Sequence, residues 1–561
     1  MVDTTESSDG SERGRHRRRL LGADSAAATE HGATTADPAG AGRRPAVVLL
    51  LTAVGSLVPG LGLIVAGRRR VGWTVLVLTV AAAVALGVWI GRDPVMAASA
   101  LVSAGALRAI TVGAIAVAVL WSVLVVVTHR ALRPADSPVW LRSVGAGVVG
   151  VLCLLVATPT ALVAGYAQTT ESTIETIFAP GRSATVPTGA PRPAARDPWA
   201  DIPRVNILLL GGDAGPDRTG VRTDSMAVAS IDTKTGRTVL ISVPRSIEKV
   251  EFQPGTPLAN VYPDGYVTVQ GNPDSGENLL NSVYRNVPAK YPEILGATDN
   301  EGADALKLGI GYSLGLSIDY YVLIQPAGFQ QLVTALGGYT ADINQPVAVG
   351  GNTDTGELPS RWLMPGPAQH LNGYLGTWFA RGRYGSDRSD YDRVRRQQCA
   401  VQALAAQTSP ARVLLAYNDL AKTAADATLT DIPRGTFAPL VQLARKVKQA
   451  NRITGVNIDS FGIPGFSPVR PDWDSVRQVV AAAVRRSTAV ATPRPATTTP
   501  AKPAPTRAPT VTRTPTATPP ATPQEDLATG CAYDPAAASA ALAQWEVRYG
   551  SRFDATTGLP R

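Results

Sequence analysis

Hydrophobic positions fall into three regimes along the chain. They run almost unbroken from 46 to 166, come as strand-length runs alternating with helical spacings from 202 to 486, and lose all periodicity from 487 to 523. In the first regime Val71–Gly91, Ala109–Thr128 and Ser143–Tyr166 are free of charge and about as long as a bilayer core requires, so they predict three membrane spans. The run Ala46–Gly67 differs. Pro59-Gly60-Leu61-Gly62 interrupts it, and Arg43-Arg44 and Arg68-Arg69-Arg70 flank it. Basic flanks favour the cytoplasmic side, and one crossing cannot keep both there, whereas a re-entrant or interfacial hairpin can. With that hairpin the count of spans is odd, and everything after about residue 167 is extracytoplasmic. Four full crossings would instead put the large domain in the cytoplasm and would require Arg68–Arg70 to be translocated. A cleavable signal peptide does not fit, because the first apolar stretch begins late and further spans follow.

The second regime predicts a three-layer α-β-α domain behind that helical membrane segment. Val205–Leu210 reads as a buried strand ended by Gly211-Gly212-Asp213; Arg222–Asp232 and Thr238–Arg245 read as two more, joined by the Lys234-Thr235-Gly236 turn. That hairpin brings Asp224, at the start of one strand, and Arg245, at the end of the next, to the same sheet edge. Further on, the spacing predicts helices near Glu277–Arg285 and over Gly302–Leu316, Pro326–Leu336, Ser389–Gln407, Ala438–Ala450 and Asp472–Arg486. It predicts strands over Asp319–Gln325, Gly338–Val347 and Ile453–Ile463. Alternating helices and strands imply helices on both faces of one sheet. The expected organisation is therefore a disordered cytoplasmic tail (1–45), a membrane segment (46–167: hairpin 46–67, spans 71–91, 109–128 and 143–166), a linker (168–201) and the α/β domain (202–486). A Pro/Thr/Ala-rich linker able to cross wall mesh or carry O-glycans (487–528) and a tail with one amphipathic helix, Pro535–Tyr549 (529–561), complete it.

Charge changes this picture at one place. From Arg381 to Arg396 the chain packs six arginines and three aspartates into sixteen residues, directly after the aromatic Trp378-Phe379. An isolated run of this kind reads as a solvated helix start with i, i+3 and i+4 ion pairs. With Asp213, Arg222, Asp224 and Arg245 at strand ends upstream, it reads instead as half of a site. Guanidinium forks grip phosphate oxygens, and paired carboxylates supply hard oxygens to Mg2+ or Mn2+. The formal charge of +9 comes mostly from the N-terminal and Pro/Thr stretches, and no basic face interleaved with aromatics marks a nucleic-acid partner. Of three cysteines, Cys153 lies in an apolar span, leaving Cys399 and Cys531 either as a disulfide or as two free thiols.

The blocks Asn206–Asp213, Arg222-Thr-Asp224-Ser-Met, Ser242-Val-Pro-Arg245, Ile318-Asp-Tyr-Tyr-Val, Leu336-Gly-Gly, Arg381-x-Arg383 and Asp390-x-x-Arg393-x-x-Arg396-Gln-Gln occur in that order. Over about residues 202–410 the chain resembles the LytR-CpsA-Psr family. The resemblance implies a membrane-anchored phosphotransferase that moves a glycopolymer from an undecaprenyl pyrophosphate carrier to peptidoglycan. It implies Asp213 and Asp224 as magnesium ligands, and Arg222, Arg245, Arg381, Arg383 and Arg393 as diphosphate contacts. Asp390 is then the acidic partner that orients arginines or assists deprotonation, and Arg245, Arg381 and Asp390 form the catalytic set. Two positions depart from the family pattern: Ser246 stands where an aspartate usually follows the Pro-Arg, and Ala214-Gly215 stand where a basic residue is common.

In the expected reaction a peptidoglycan hydroxyl attacks the phosphorus bearing the glycopolymer, and undecaprenyl phosphate leaves. Of four histidines only His370 lies in the α/β region, and the three cysteines are scattered, so neither a Ser-His-Asp triad nor a zinc hydrolase is the expected chemistry. Two other functions use the same residues differently: a polyprenyl-diphosphate pyrophosphatase with water as acceptor, and a non-catalytic wall-binding or regulatory protein. A lipid carrier requires an apolar cleft beside the charged cluster, which the sequence does not display.

Overall fold

The computed structural model describes residues 45–92, 104–133, 137–177, 183–185, 187, 189, 191, 197–213, 221–272, 275–352, 355–386, 388, 390–409, 428–460, 462–488 and 524–561. The N-terminal tail, the centre of the loop between the first two spans, Ala214-Gly215 and the unperiodic stretch 489–523 lie outside the described residues.

Among the described residues three helices are long and apolar enough to cross a membrane: α3 (Arg69–Arg92), α4 (Ala104–Leu132) and α5 (Val139–Ile177). The last continues past the apolar run into the expected linker, since no proline follows until Pro180. Before them, α1 (Pro45–Leu57) spans 13 residues, roughly 20 Å at the helical rise and short of a bilayer core. The chain breaks there and restarts as α2 (Leu61–Val65). Gly60, at φ +93°, makes the break possible, because a Cβ at that position would sit 2.4 Å from the Gly72 carbonyl oxygen. Gly62 packs so closely on Thr128 of α4 that a Cβ would lie 2.3 Å from its methyl group.

The α/β domain is built on a seven-stranded mixed sheet in the order β11-β10-β3-β2-β1-β4-β9. Its strands are β1 (Arg204–Gly212), β2 (Thr223–Asp232), β3 (Thr238–Ser242), β4 (Tyr320–Ile324), β9 (Thr428–Thr430), β10 (Ile453–Asn457) and β11 (Glu525–Asp526). Side chains alternate across the sheet. Leu208, Leu210, Val228 and Ile241 pack against α6 (Val283–Lys290), α7 (Glu301–Leu314) and, later in the chain, the helix Trp473–Thr488. Leu209, Ala227, Ala229 and Leu240 face the opposite side, where the helices Asp390–Gln407 and Phe437–Ala450 lie. These are the three layers expected. Apart from the short turns Pro257–Val261 and Leu527–Gly530, which are left unnumbered, the remaining α-helices among the described residues are, in chain order, α8 (Pro326–Ala335), α9 (Gly373–Arg381), α10 (Asp390–Gln407), α11 (Phe437–Ala450), α12 (Trp473–Thr488) and α13 (Pro535–Tyr549).

Residues 338–371 differ from the single strand expected there. β5 (Tyr339–Ile343) stops before Pro346, which has no N–H to continue a ladder, and pairs with β8 (Gly366–Leu371). β6 (Val347–Asn352) pairs with β7 (Glu357–Leu363) in a separate ribbon. The strand expected to reach Ile463 ends at Asn457.

The C-terminal region returns to the domain. Arg486 Nε donates to Gln524 Oε1 at 2.8 Å, so the chain leaves and rejoins at one place. β11 then pairs antiparallel with the edge strand β10, inside what reads in sequence as linker. Cys399 of α10 and Cys531 are joined by a disulfide with a Cα–Cα distance of 5.5 Å. The bridge closes a long loop, so reducing it, or the double replacement Cys399→Ser/Cys531→Ser, is expected to cost about 2–5 kcal/mol. Thermal unfolding with and without reductant checks this; an unchanged Tm would show that the tail's packing alone holds it.

Candidate active site

The β2–β3 hairpin places Asp224 beside Arg245. Gly211 and Gly212 end β1 at a bulge, which releases Asp213 at the same edge, with its N–H on the Arg222 carbonyl at 2.9 Å. The second half comes from α9 and α10. Asn372 caps α9 by accepting from Leu375 N, which orients the helix that ends in Arg381. α10 opens with Asp390 in its first turn.

The two halves meet in one cluster of ion pairs. Arg245 Nη1 reaches Asp224 Oδ1 at 2.8 Å, and its Nε reaches Asp390 Oδ2 at 2.9 Å. Asp390 Oδ1 is shared by Arg383 and Arg393, each at 3.3 Å. Arg393 Nη2 also donates to the Asp224 carbonyl oxygen at 3.0 Å, and Arg381 pairs with Asp213 at 3.1 Å. Arg222 is placed differently. Its guanidinium lies 2.6 Å from Glu277, which also pairs with Arg285, and it does not line the cavity described below.

Electrostatics follow from this packing. Burial opposes ionisation of Asp224 and Asp390, but Arg245 and Arg393 outweigh it and hold both carboxyls below the ordinary value. Burial likewise opposes the charge on Arg245, and its two carboxylates more than restore it. Arg393 is pulled down to about 10 by burial and then by Arg245 and Arg383. It is 5 % exposed, and its Nε has no hydrogen-bond partner. Arg393 also lines the cavity described below, and a buried cation beside a cavity is arranged for an anion.

Because the folded values of Asp224 and Asp390 are depressed, the stability their pairs add is complete above about pH 4, the unfolded value. It is lost as pH falls through the folded values. Chemical unfolding midpoints from pH 7 to 3 should therefore drop more for the natural chain than for Asp390→Asn. Parallel profiles would argue against this pairing.

Part of the cluster lines a cavity of about 810 Å³ between the sheet and α8, α9 and α10, while Arg245 and Asp390 stand behind that wall and do not line it. Leu209, Leu240, Val322, Phe329, Trp378 and Val401 line its interior, and Asp213, Asp224, Arg381, Arg383 and Arg393 line it as well. An acyl or prenyl chain with a charged head fits such a lining.

Several residues around the site carry no clear signal in the sequence. Asn281, in a single 3-10 turn over Leu280–Ser282, donates to Asp224 Oδ1 at 3.3 Å. Gln398 ties α10 to β3 and β10 through Ser242 and Asn457, both at 2.8 Å, and Gln397 donates to the Ala380 carbonyl at 3.2 Å. The Gln-Gln pair was the available signal for these two. Among the described residues no group of three or more His, Cys, Asp or Glu side chains could hold a metal. A cation here would draw on Asp213 and Asp224 and on oxygens of the ligand itself.

A family model described as the LytR_cpsA_psr family matches residues 192–478. The chain is similar to the polyisoprenyl-teichoic acid–peptidoglycan teichoic acid transferase TagU of Oceanobacillus iheyensis, 26% identical over 260 residues, which cover 46% of this chain and 68% of the relative. TagU of Bacillus cereus is 26% identical over 216 residues, 38% of this chain and 56% of the relative. The chain thus spans about two thirds of the first and just over half of the second. The crystal structure of Bacillus subtilis TagV aligns with a TM-score of 0.34 at 19% identity, covering 51% of this chain and 96% of that one.

Proposed function

Because this chain belongs to the LytR-CpsA-Psr family, we propose that it transfers a glycopolymer from a polyprenyl diphosphate carrier to a hydroxyl of peptidoglycan. The observation that carries this reading is one cavity in which apolar side chains, suited to a lipid, adjoin arginines and aspartates, suited to its diphosphate. The curated relatives are named for transfer of teichoic acid to peptidoglycan, which supports a transferase acting on a wall glycopolymer.

Asp213 and Asp224 suit Mg2+ or Mn2+. Both line the cavity, both are carboxylates, and magnesium is commonly held by one or two carboxylates together with substrate phosphates. When bound, the ion would neutralise charge on the diphosphate oxygens. The chain's own groups do the rest. Arg393, on the cavity wall, and Arg381 and Arg383, half exposed at the rim, grip the non-bridging oxygens. Arg245 holds Asp224 and Asp390 apart and adds positive charge where the transition state gains negative charge. Asp390, depressed and shared among three arginines, orients them and is a weak base. The acceptor oxygen bonds to the glycopolymer-bearing phosphorus, the bond to the bridging oxygen breaks, lipid phosphate leaves, and the hydroxyl proton passes by way of Asp390 to water. An extracytoplasmic site follows from three crossings after a non-crossing hairpin, with the N-terminus in the cytoplasm.

Incubating the purified full chain with lipid-linked glycopolymer, Mg2+ and isolated peptidoglycan tests this. The expected result is polymer joined to the insoluble wall fraction, lost when Mg2+ is chelated. Release of lipid phosphate without joining would make the protein a pyrophosphatase, and no turnover with intact binding would make it a wall-binding protein.

A further inference from the structure

The family match ends at residue 478 and leaves the C-terminal segment 524–561 without a role. That segment grips the domain at several points from α10 to the β6–β7 ribbon. Glu525 makes a two-pronged ion pair with Arg395 of α10, both contacts at 3.1 Å, and Arg395 also donates to the Gly530 carbonyl at 2.6 Å. Cys531 is bonded to Cys399 of the same helix. The Tyr533 and Asp534 N–H groups then donate to Asp342 and Asn344 at 2.9 and 2.8 Å, and the Gly558 carbonyl accepts from Trp362 N at 2.8 Å on the β6–β7 ribbon.

The last hold falls on the turn that bears Arg383. Residues 383–386 form a tight turn closed by Ser386 N on the Arg383 carbonyl at 3.1 Å, with Gly385 at φ +68°. Tyr384, at the tip, enters an aromatic box with Trp362 at 6.3 Å and Tyr549 at 6.2 Å between ring centroids. Tyr549 in turn lies 4.9 Å from Trp362 and 6.1 Å from Trp545, and Phe553 completes the cluster. Three of the five rings belong to the tail. Tyr549 presses on the glycine so closely that a Cβ on Gly385 would sit 2.7 Å from its hydroxyl oxygen. Arg383 itself is weakly tied, 43 % exposed and 3.3 Å from Asp390. Its position therefore depends on the backbone of a turn whose tip the tail holds.

We propose that the C-terminal segment is a clasp that sets the Arg383 turn, and that Tyr549 is the positioning residue through which it acts. Without the Tyr549 ring, Tyr384 keeps Trp362 alone, the turn opens, and Arg383 spends less time facing Asp390 and the cavity. The role of Arg383 in holding a diphosphate rests on the function proposed above; the bracing of the turn does not.

Two measurements on the full chain in detergent separate these parts. Amide hydrogen exchange over 382–386 is expected to quicken about tenfold in Tyr549→Ala, with β1 amides unchanged, as for a local opening. Titration with geranyl diphosphate and Mg2+ should show affinity falling roughly five- to thirtyfold, a difference of the size typical for coupling between linked sites. Tyr549→Phe, which keeps the ring, should restore both. Exchange at 382–386 equal to that of the natural chain would overturn the clasp, and faster exchange with unchanged affinity would overturn its link to the site. If Tyr549→Ala also loosens β1, Tyr549→Leu, which keeps apolar bulk but loses the ring contacts, replaces it in the same comparison. Failure of the natural chain to bind geranyl diphosphate would overturn the proposed function while the exchange result still decided the clasp.

Discussion

Replacing Arg245 by alanine is expected to slow transfer by about 100- to 1,000-fold, the range seen when one preorganised charge-stabilising group is removed from an active site. No other side chain joins the two halves so directly. One edge of its guanidinium meets Asp224 from the hairpin and another meets Asp390 from α10. Without it, two largely buried carboxylates, Asp224 on the cavity wall and Asp390 behind it, lose compensation, their pKa values rise, and an incoming diphosphate meets negative charge. The stability cost of breaking a buried pair is about 3–5 kcal/mol, and the low end applies because Arg245 and its partners are 17–25 % exposed. Arg245→Lys should recover only a small part of the rate, since a single ammonium cannot fork between two carboxylates. Transfer assays with thermal unfolding on the same preparations check this. A folded Arg245→Ala protein with natural activity would mean that the cluster is not where the chemistry occurs.

Lys307→Met is expected to destabilise the domain by about 3–5 kcal/mol at pH 7, with the loss shrinking as pH falls towards 5. Lys307 is 1 % exposed, on α7, and its ammonium meets Asp431 Oδ2 at 2.5 Å and the Asp319 carbonyl at 2.9 Å. Asp304, 1 % exposed, adjoins this network and accepts from Ser183 at 2.7 Å, close behind the membrane helix α5. Methionine fills the space but leaves Asp431 charged and unpaired. Burial already raises the Asp431 and Asp319 carboxyls above their ordinary value, with Lys307 opposing that rise. Removing the lysine raises them further. A raised folded value favours the protonated form, so lowering the pH returns stability to the variant, opposite in sign to Asp224 and Asp390. Chemical unfolding at pH 7.5 and pH 5 measures both the loss and its recovery. An equal deficit at the two pH values would locate the effect in packing and not in charge.

The hairpin was legible because its determinants are local. The Lys234-Thr235-Gly236 turn between two apolar runs sets the register that places Asp224 beside Arg245, and the ion pair at 2.8 Å follows. The arginine-rich stretch was legible as composition, since six fixed cations in sixteen residues call for anions. The identity of those anions was not legible. Arg222 turns to Glu277, 55 residues away, and Arg395 turns outward to the tail and not to the cavity. The split of residues 338–371 into two ribbons was hidden too, because short Gly-rich strands carry little alternation for a sequence to display.

Period, length and flanking charge in the sequence determined three apolar spans, a broken first run, an alternating α/β domain and two blocks of arginine and aspartate, since each depends only on neighbours within a few residues. The tertiary structure alone decided that both blocks meet at one cavity of about 810 Å³, that apolar and charged side chains share its walls, and that the C-terminal segment folds back onto the turn bearing Arg383. Contacts between residues more than a hundred positions apart are set by packing and loop closure across the whole domain. No local pattern encodes that outcome.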